Sequence, residues 1–248
     1  MISLALMLFL AGLWAGAQNA LAGGGSFVTL PALILSGMDP RAANVTSTLA
    51  LFPGQIATGW AGRSMVTGTE TVSARGLVIV SLIGGVFGAI LLLETPVSVF
   101  ARLVPWLVLF ATAVYAWGSF RGAPKSDVRP KPRWLVIVSQ ILIAIYGGYF
   151  GGGIGFLMLA ALTIAGLPVR SAGATKNVLA GVMNASAVLI FAFSSDAHWW
   201  QALVVGTGAM AGGLAGAWLL RRVNERILRA LVVVIGICLT LGLFLRPI

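Results

Sequence analysis

Gly37-Met38-Asp39-Pro40-Arg41-Ala42-Ala43-Asn44-Val45-Thr46-Ser47-Thr48 and Gly166-Leu167-Pro168-Val169-Arg170-Ser171-Ala172-Gly173-Ala174-Thr175-Lys176-Asn177 are two versions of one segment. The pairing sets Arg41 on Arg170 and Thr46 on Thr175, at an offset of about 128 residues that persists through most of the chain. Working outward, Gly23-Gly24-Gly25 falls on Gly151-Gly152-Gly153, Gly84 to Leu92 on Gly212 to Leu220, and Arg102 on Arg229. Chance similarity between apolar segments would not align their polar residues as well. The chain therefore reads as a duplication: a first repeat over 1–120, a connector over 121–133 and a second repeat over 134–248.

Composition names the solvent. Charged residues are 9% of the chain and hydrophobic ones 59%, where a soluble domain carries about a quarter charged. Such a surface suits a lipid bilayer, the first partner this sequence implies. The excess of 16 Lys+Arg over 6 Asp+Glu does not signal nucleic acid, because the cations sit between apolar runs and not along one polar face. Cys238 is the single cysteine, which excludes a disulfide framework and a thiolate metal cluster within one chain. The N-terminal apolar stretch ends Ala20-Leu21-Ala22, as a cleavable leader would. With no Lys or Arg ahead of it and a counterpart in the second repeat, it is expected to be retained.

At about 20 apolar residues per crossing, spans are expected near 43–62, 72–93, 98–120, 171–193, 199–220 and 227–245. The longer stretches 1–37 and 134–166 are each interrupted by a glycine triplet, at a cost of about 1 kcal/mol of helix propensity per glycine, and read as two helices joined at a break. Trp60, Trp106, Trp117, Trp134, Trp199, Trp200 and Trp218 are expected near span ends, at headgroup level. The fold class is an all-α polytopic membrane protein in which each repeat is a glycine-broken hairpin plus three transmembrane helices.

Loop charge orients the repeats. The connector holds Arg121, Lys125, Arg129, Lys131 and Arg133 and is placed in the cytoplasm. If 134–166 enters and returns, the cluster Arg221, Arg222, Arg226 and Arg229 is also cytoplasmic and the Asp196/His198 loop external. The matched first repeat then has Arg63 and Arg75 inside, Arg41 outside and both termini outside. Three spans after a hairpin are an odd number of crossings, so the repeats are inverted, the plan of many secondary transporters.

Irregular backbone at membrane depth is tolerated only where protein or an aqueous cavity satisfies it. Two matched breaks therefore point to a substrate site. The helix after each opens with unpaired N–H groups and a partial positive charge, which can hold an anion. Candidate binding residues are Gly23, Gly24, Gly25, Ser26, Gly151, Gly152 and Gly153 at the breaks, with Asn44, Thr46, Thr175, Lys176 and Asn177 on the following spans. The bland alternatives stand beside these. Glycines also permit a tight turn, Thr and Asn also serve as interhelical glue, and Lys176, about two turns from the membrane edge, either balances a bound anion or snorkels to the headgroups. Gln18, Asn19, Gln55, Gln140 and Asn184 read first as glue, and the Gly84/Gly88 and Gly208/Gly212/Gly216 stripes as packing surfaces. Arg41 and Arg170 are matched mouths that either attract anions or anchor helix ends.

A glycine-rich break, an apolar half-helix, then Gly-x-x-x-Arg-Ala/Ser-Ala and a Thr/Asn-rich span, occurring twice, resembles the sulfite exporter TauE/SafE family, and the resemblance covers essentially the whole chain. It implies a carrier in the bacterial cytoplasmic (inner) membrane for sulfite, a sulfonate such as sulfoacetate, or a related small anion, driven by an ion gradient with H+ or Na+ as coupling ion. Ile154 after the second break, where the first has Ser26, marks a chemical difference between the two. No cofactor or metal is implied. Oligomeric state is left open, a dimer included. A passive anion channel is the alternative, since helix N-termini and an intramembrane Lys can also build a filter. An enzyme is disfavoured by one His, one Cys and no nucleophile or metal motif.

Overall fold

The computed structural model describes residues 2–21, 24–120, 131–219 and 225–245. Gly23, most of the basic connector, Arg221 and Arg222 lie outside the described residues, as do the side chains of Trp218, Arg226 and Arg229. Among the described residues, ten α-helices follow in order: α1 (Ile2–Leu21), α2 (Ser26–Leu35), α3 (Pro40–Gly62), α4 (Ala74–Glu94), α5 (Val97–Phe120), α6 (Arg133–Tyr149), α7 (Ile154–Ile164), α8 (Val169–Phe191), α9 (Trp199–Leu219) and α10 (Glu225–Leu245). No strand occurs among the described residues. The expected spans correspond to α3, α4, α5, α8, α9 and α10, and the glycine triplets fall where α1 gives way to α2 and α6 to α7.

Local chemistry explains the boundaries. The quoted segment begins at a helix stop: Gly37 and Gly166 both adopt positive φ (94° and 99°), which an L side chain resists. Around each, the chain closes the same cap, with Gly37 N–H donating to the Ile34 carbonyl and Met38 N–H to Leu33, and Gly166 N–H to Thr163 and Leu167 N–H to Leu162. A proline then opens the next helix, where its missing N–H is harmless. Pro40 starts α3, capped by Asp39 accepting from Arg41 N–H and Ala42 N–H, and Pro168 caps α8. At 10 and 11 residues, α2 and α7 are about 15–17 Å long, half a hydrocarbon layer. They are half-helices.

Three helices, α4, α8 and Val97–Gly118 of α5, are long and apolar enough to cross a bilayer by themselves. Helix α3 is as long as α8, at 23 residues, but more polar. Its Asn44, Thr46 and Ser47 are all buried, so it lies inside the bundle. The surface is inside-out relative to a soluble protein: Leu82, Ile83, Phe87, Ile90 and Leu91 of α4 are exposed, whereas Gln18, Thr29, Gln140, Thr175 and Asn184 are buried. Trp60, Trp117, Trp134, Trp199 and Trp200 are exposed at or near helix ends. Trp106 corrects the expectation, because it lies well inside α5 and its ring meets Phe244 of α10 edge-on at 5.1 Å.

Packing repeats along with sequence. Helix α1 lies on α9 and α6 on α4, α3 packs on α9 and α8 on α4, α3 meets α8, and α5 meets α10. Exchanging each helix for its counterpart maps this set onto itself. The α1–α9 and α6–α4 contacts are backbone to backbone. A Cβ on Gly212 would strike the Leu13 carbonyl, and one on Gly88 the Ile145 carbonyl. The stripes are thus packing surfaces. Replacing either Gly88 or Gly212 by Leu is expected to cost at least about 2 kcal/mol by overpacking, seen as a lower unfolding temperature of the detergent-solubilised protein by tryptophan fluorescence. An unchanged transition for both would refute this packing.

Candidate functional site

Helices α3 and α8 cross antiparallel, and their contacts define two ends. At one end Thr46 in the first turns of α3 accepts from His198 N–H at 3.3 Å and donates to the Asp196 carbonyl at 3.4 Å, in the loop after α8. At the other, Thr175 of α8 accepts from Thr67 N–H and donates to the Thr67 carbonyl, both at 3.1 Å, in the loop after α3. Thr46 and Thr175 are matched residues, both with no exposed surface, and each clamps a loop of the opposite half. Their hydroxyls are used by that backbone.

The ends differ in charge. At the first, the Arg41 guanidinium donates to the carbonyls of Leu93 (3.1 Å) and Thr95 (2.9 Å), and its Nε lies 2.7 Å from Asp196 Oδ2. At the second, Asp196 is replaced by Thr67 and Arg170 is exposed. Thr71 there donates to the Lys131 carbonyl at 3.2 Å, which brings Arg63, Arg75, Lys131, Arg133 and Arg170 to one end, against Arg41 and Arg102 at the other.

Between these ends lie the breaks. Phe27 and Phe156, matched at the offset that carries Gly37 to Gly166 and lying in the first turns of α2 and α7, both meet the ring of Tyr115 on α5 edge-on, with centroids 6.1 and 4.4 Å away. The two half-helices therefore start around a shared tyrosine. Sequence reading missed Tyr115, though the match of Phe27 with Phe156 was available to it.

The first break is closed by its own side chains. Gly25 N–H donates to Asn19 Oδ1 at 2.7 Å, and Gln18 Nε2 donates to the Gly24 carbonyl at 2.8 Å. Ser47, the counterpart of Lys176, is bonded to Thr29 Oγ1 at 2.6 Å. No such amides serve the second break, whose corresponding residues are Tyr146 and Gly147. Helix α6 stops at Tyr149, and Asn44 Nδ2 donates to that residue's carbonyl at 3.1 Å. Gly151 and Gly153 take φ of 78° and 73°. A Cβ on Gly153 would crowd Ala111 of α5 at 3.1–3.2 Å.

Among the described residues, the N–H groups of Gly152, Gly153, Ile154 and Gly155 have no acceptor. Lys176 Nζ stands 3.6 Å from the position a Cβ on Gly155 would take, at the positive end of α7. It is half-buried and has neither an ion-pair nor a hydrogen-bond partner among the described residues. The structure thus places Asn44 at Tyr149, two residues before Gly151, and Lys176 at Gly155, two residues after Gly153. Gly24, Gly25 and Ser26 belong to the closed break, and Asn177 lies on α8 beside Gly59 of α3. Four N–H donors and an ammonium, with no carboxylate bonded to them, can hold the oxygens of an anion. A separate apolar cleft between α2 and α10, lined by Pro31, Leu35, Cys238 and Leu243 among others, lies away from the breaks.

A lipid-suited exterior around a polar seam of helix breaks and hydroxyls is the build of a membrane transporter. The chain belongs to the sulfite exporter TauE/SafE family, whose sequence model matches residues 8–243, and so to a family of transporters and not of enzymes. It is 30% identical over 97% of its length to "Probable membrane transporter protein ORF9" of Sinorhizobium sp, covering 92% of that protein. It is 27% identical to a "Probable membrane transporter protein" of Haemophilus influenzae, with 96% and 94% of the two chains covered. Against "Probable membrane transporter protein YfcA" of Escherichia coli K12 the identity is 25%, with 93% and 86% covered. No solved structure matches the chain.

Thr46→Val and Thr175→Val should each cost about 1–2 kcal/mol of stability through lost and orphaned hydrogen bonds, read as a lower unfolding temperature. Anion affinity by titration of the purified protein should be unchanged. A large loss of affinity in either variant would return that threonine to the binding site.

Proposed function

We propose that this protein is a secondary transporter of a small anion, sulfite or an organosulfonate such as sulfoacetate, working by alternating access in the bacterial cytoplasmic membrane. The observation that carries the reading is the run of four N–H groups, Gly152 to Gly155, without an acceptor among the described residues, ending beside the ammonium of Lys176, which has no partner among those residues either. Gly151 to Gly153 and Lys176 form the anion cradle, with Asn44 holding the end of α6 in place and Asn177 along the approach. Gly24, Gly25 and Ser26 form its counterpart in the other half. Arg170, exposed at the basic end, draws anions toward the cradle, and Arg41 ties the opposite end to Asp196.

The repeats, 1–120 and 134–248 about the connector 121–133, are inverted, each a hairpin plus three spans. What supports this is the antiparallel crossing of the matched helices α3 and α8, together with a contact pattern that survives exchange of the halves. The basic end, with Arg63, Arg75, Lys131, Arg133 and Arg170, is cytoplasmic by the positive-inside rule. Both termini then face out. A proton or sodium gradient drives the cycle, and the protein works alone or as a dimer.

Flux of labelled sulfite in proteoliposomes tests the carrier. Saturable counterflow is expected, and Lys176→Ala should reduce it about 10- to 100-fold, the worth of one charge-assisted contact, with Lys176→Arg retaining part. Unsaturable flux at channel-like rates, or a fully active Lys176→Ala protein, would overturn the proposal. A periplasm-dependent alkaline phosphatase fused after Ile248 should be active in cells, and an inactive, stably expressed fusion would invert the topology.

A further inference from the structure

Gln55 of α3 and Asn184 of α8 are matched positions, separated by the same offset that carries Arg41 to Arg170. Asn184 Nδ2 donates to Gln55 Oε1 at 2.6 Å. Two equivalent residues that touch each other stand in the same relation to both halves, whichever half opens. Asn184 is 3% exposed, yet its Oδ1 has no hydrogen-bond partner among the described residues. A buried carbonyl oxygen in an apolar interior calls for a donor.

From this pair we infer a substrate ligand that selects an oxyanion carrying its own proton. The inference rests on the transport reading above and narrows its substrate. One hydrogen bond between two primary amides leaves an unused NH2 on one and an unused carbonyl oxygen on the other. Turning both amides over exchanges the atoms and leaves the same remainder. A sulfonate head or a fully deprotonated sulfite offers only acceptors, so it serves the NH2 and sets oxygen against oxygen at the carbonyl. A hydrogen-bearing oxyanion such as hydrogensulfite presents an acceptor and a donor side by side and satisfies both. Sites built to bond a hydroxyl reject analogues lacking it, because a buried group is then left unpaired.

Around the pair α3 and α8 approach closely, a Cβ on Gly181 lying 3.9 Å from the Gln55 carbonyl and one on Gly59 lying 3.5 Å from the Asn177 carbonyl. Met183, next to Asn184, lies against Gly147, just before the second break. The ionisable groups carried away from the ends of α3, α8 and the helices packed on them are Lys176 on α8, Tyr115 on α5 and Tyr146 on α6, with Tyr149 ending α6 and the carboxylate Glu94 ending α4. Hydrogensulfite and methanesulfonate carry the same single charge, so their ratio cancels what these groups contribute and isolates the proton on the ligand.

The test uses full-length protein in proteoliposomes, with labelled sulfite counterflow competed by unlabelled sulfite or methanesulfonate over a pH series without a gradient. In the native protein the advantage of sulfite over methanesulfonate should grow about tenfold, one hydrogen bond's worth, as falling pH converts sulfite to hydrogensulfite. Asn184→Leu should abolish that growth in the counterflow that it retains. A pH-independent ratio in the native protein overturns the inference, as does a native-like pH response in Asn184→Leu. If Asn184→Leu fails to fold, Gln55→Leu makes the same comparison, and the native pH series decides by itself. No sulfite counterflow in the native protein would sink the transport reading, whereas counterflow with a flat ratio sinks this inference alone.

Discussion

A backbone amide inside hydrocarbon must be bonded by the protein itself, and the architecture follows from that demand. Unbroken helices meet it internally, so departures from helix are informative. The chain departs twice at matched places and treats the two differently. At the first break the amides of Gln18 and Asn19 supply the missing partners. At the second, Asn44 answers the Tyr149 carbonyl, while among the described residues four successive N–H groups have no acceptor and a lysine stands beside the last of them, at Gly155. The two matched breaks thus differ in what bonds their backbone.

The α3–α8 crossing is the hub of the molecule. Along it the clamps Thr46 and Thr175 tie opposite ends to opposite halves, and Gln55 meets Asn184 between them. Outside this seam the α1–α9 and α6–α4 contacts are mostly those of small residues and apolar side chains, with Gln140 donating to Ser81 Oγ at 2.8 Å between α6 and α4, as suits helices that lack a hydrophobic drive to associate in lipid. Among the described residues, only the end bearing Arg41 also has an ion pair, since Asp196 has Thr67 as its counterpart. The pseudo-symmetry is therefore exact enough to place elements and loose enough to let the ends behave differently.

Most of the helix order was legible without coordinates. Residues 43–62 and 171–193 became α3 and α8 with shifts of a few positions, because apolar run length and glycine or proline punctuation act locally. Trp106 was misjudged, since an aromatic in a span reads as an interfacial anchor until a partner such as Phe244 is seen. The candidate site was half legible. Gly151 to Gly153 and Lys176 stood out as candidates by their expense in lipid, but Thr46 and Thr175 read equally well as ligands or as fasteners. Only their loop partners separate these roles.

By itself the sequence determined the solvent, the duplication and the places where helices break, since each depends on residues close together or on comparison of two segments of one chain. Tertiary structure alone decided which break is plugged, which hydroxyls are spent and which matched amides meet. Those outcomes depend on contacts between residues more than a hundred positions apart, and a hydrogen bond at 2.6 Å leaves no mark on the order of residues.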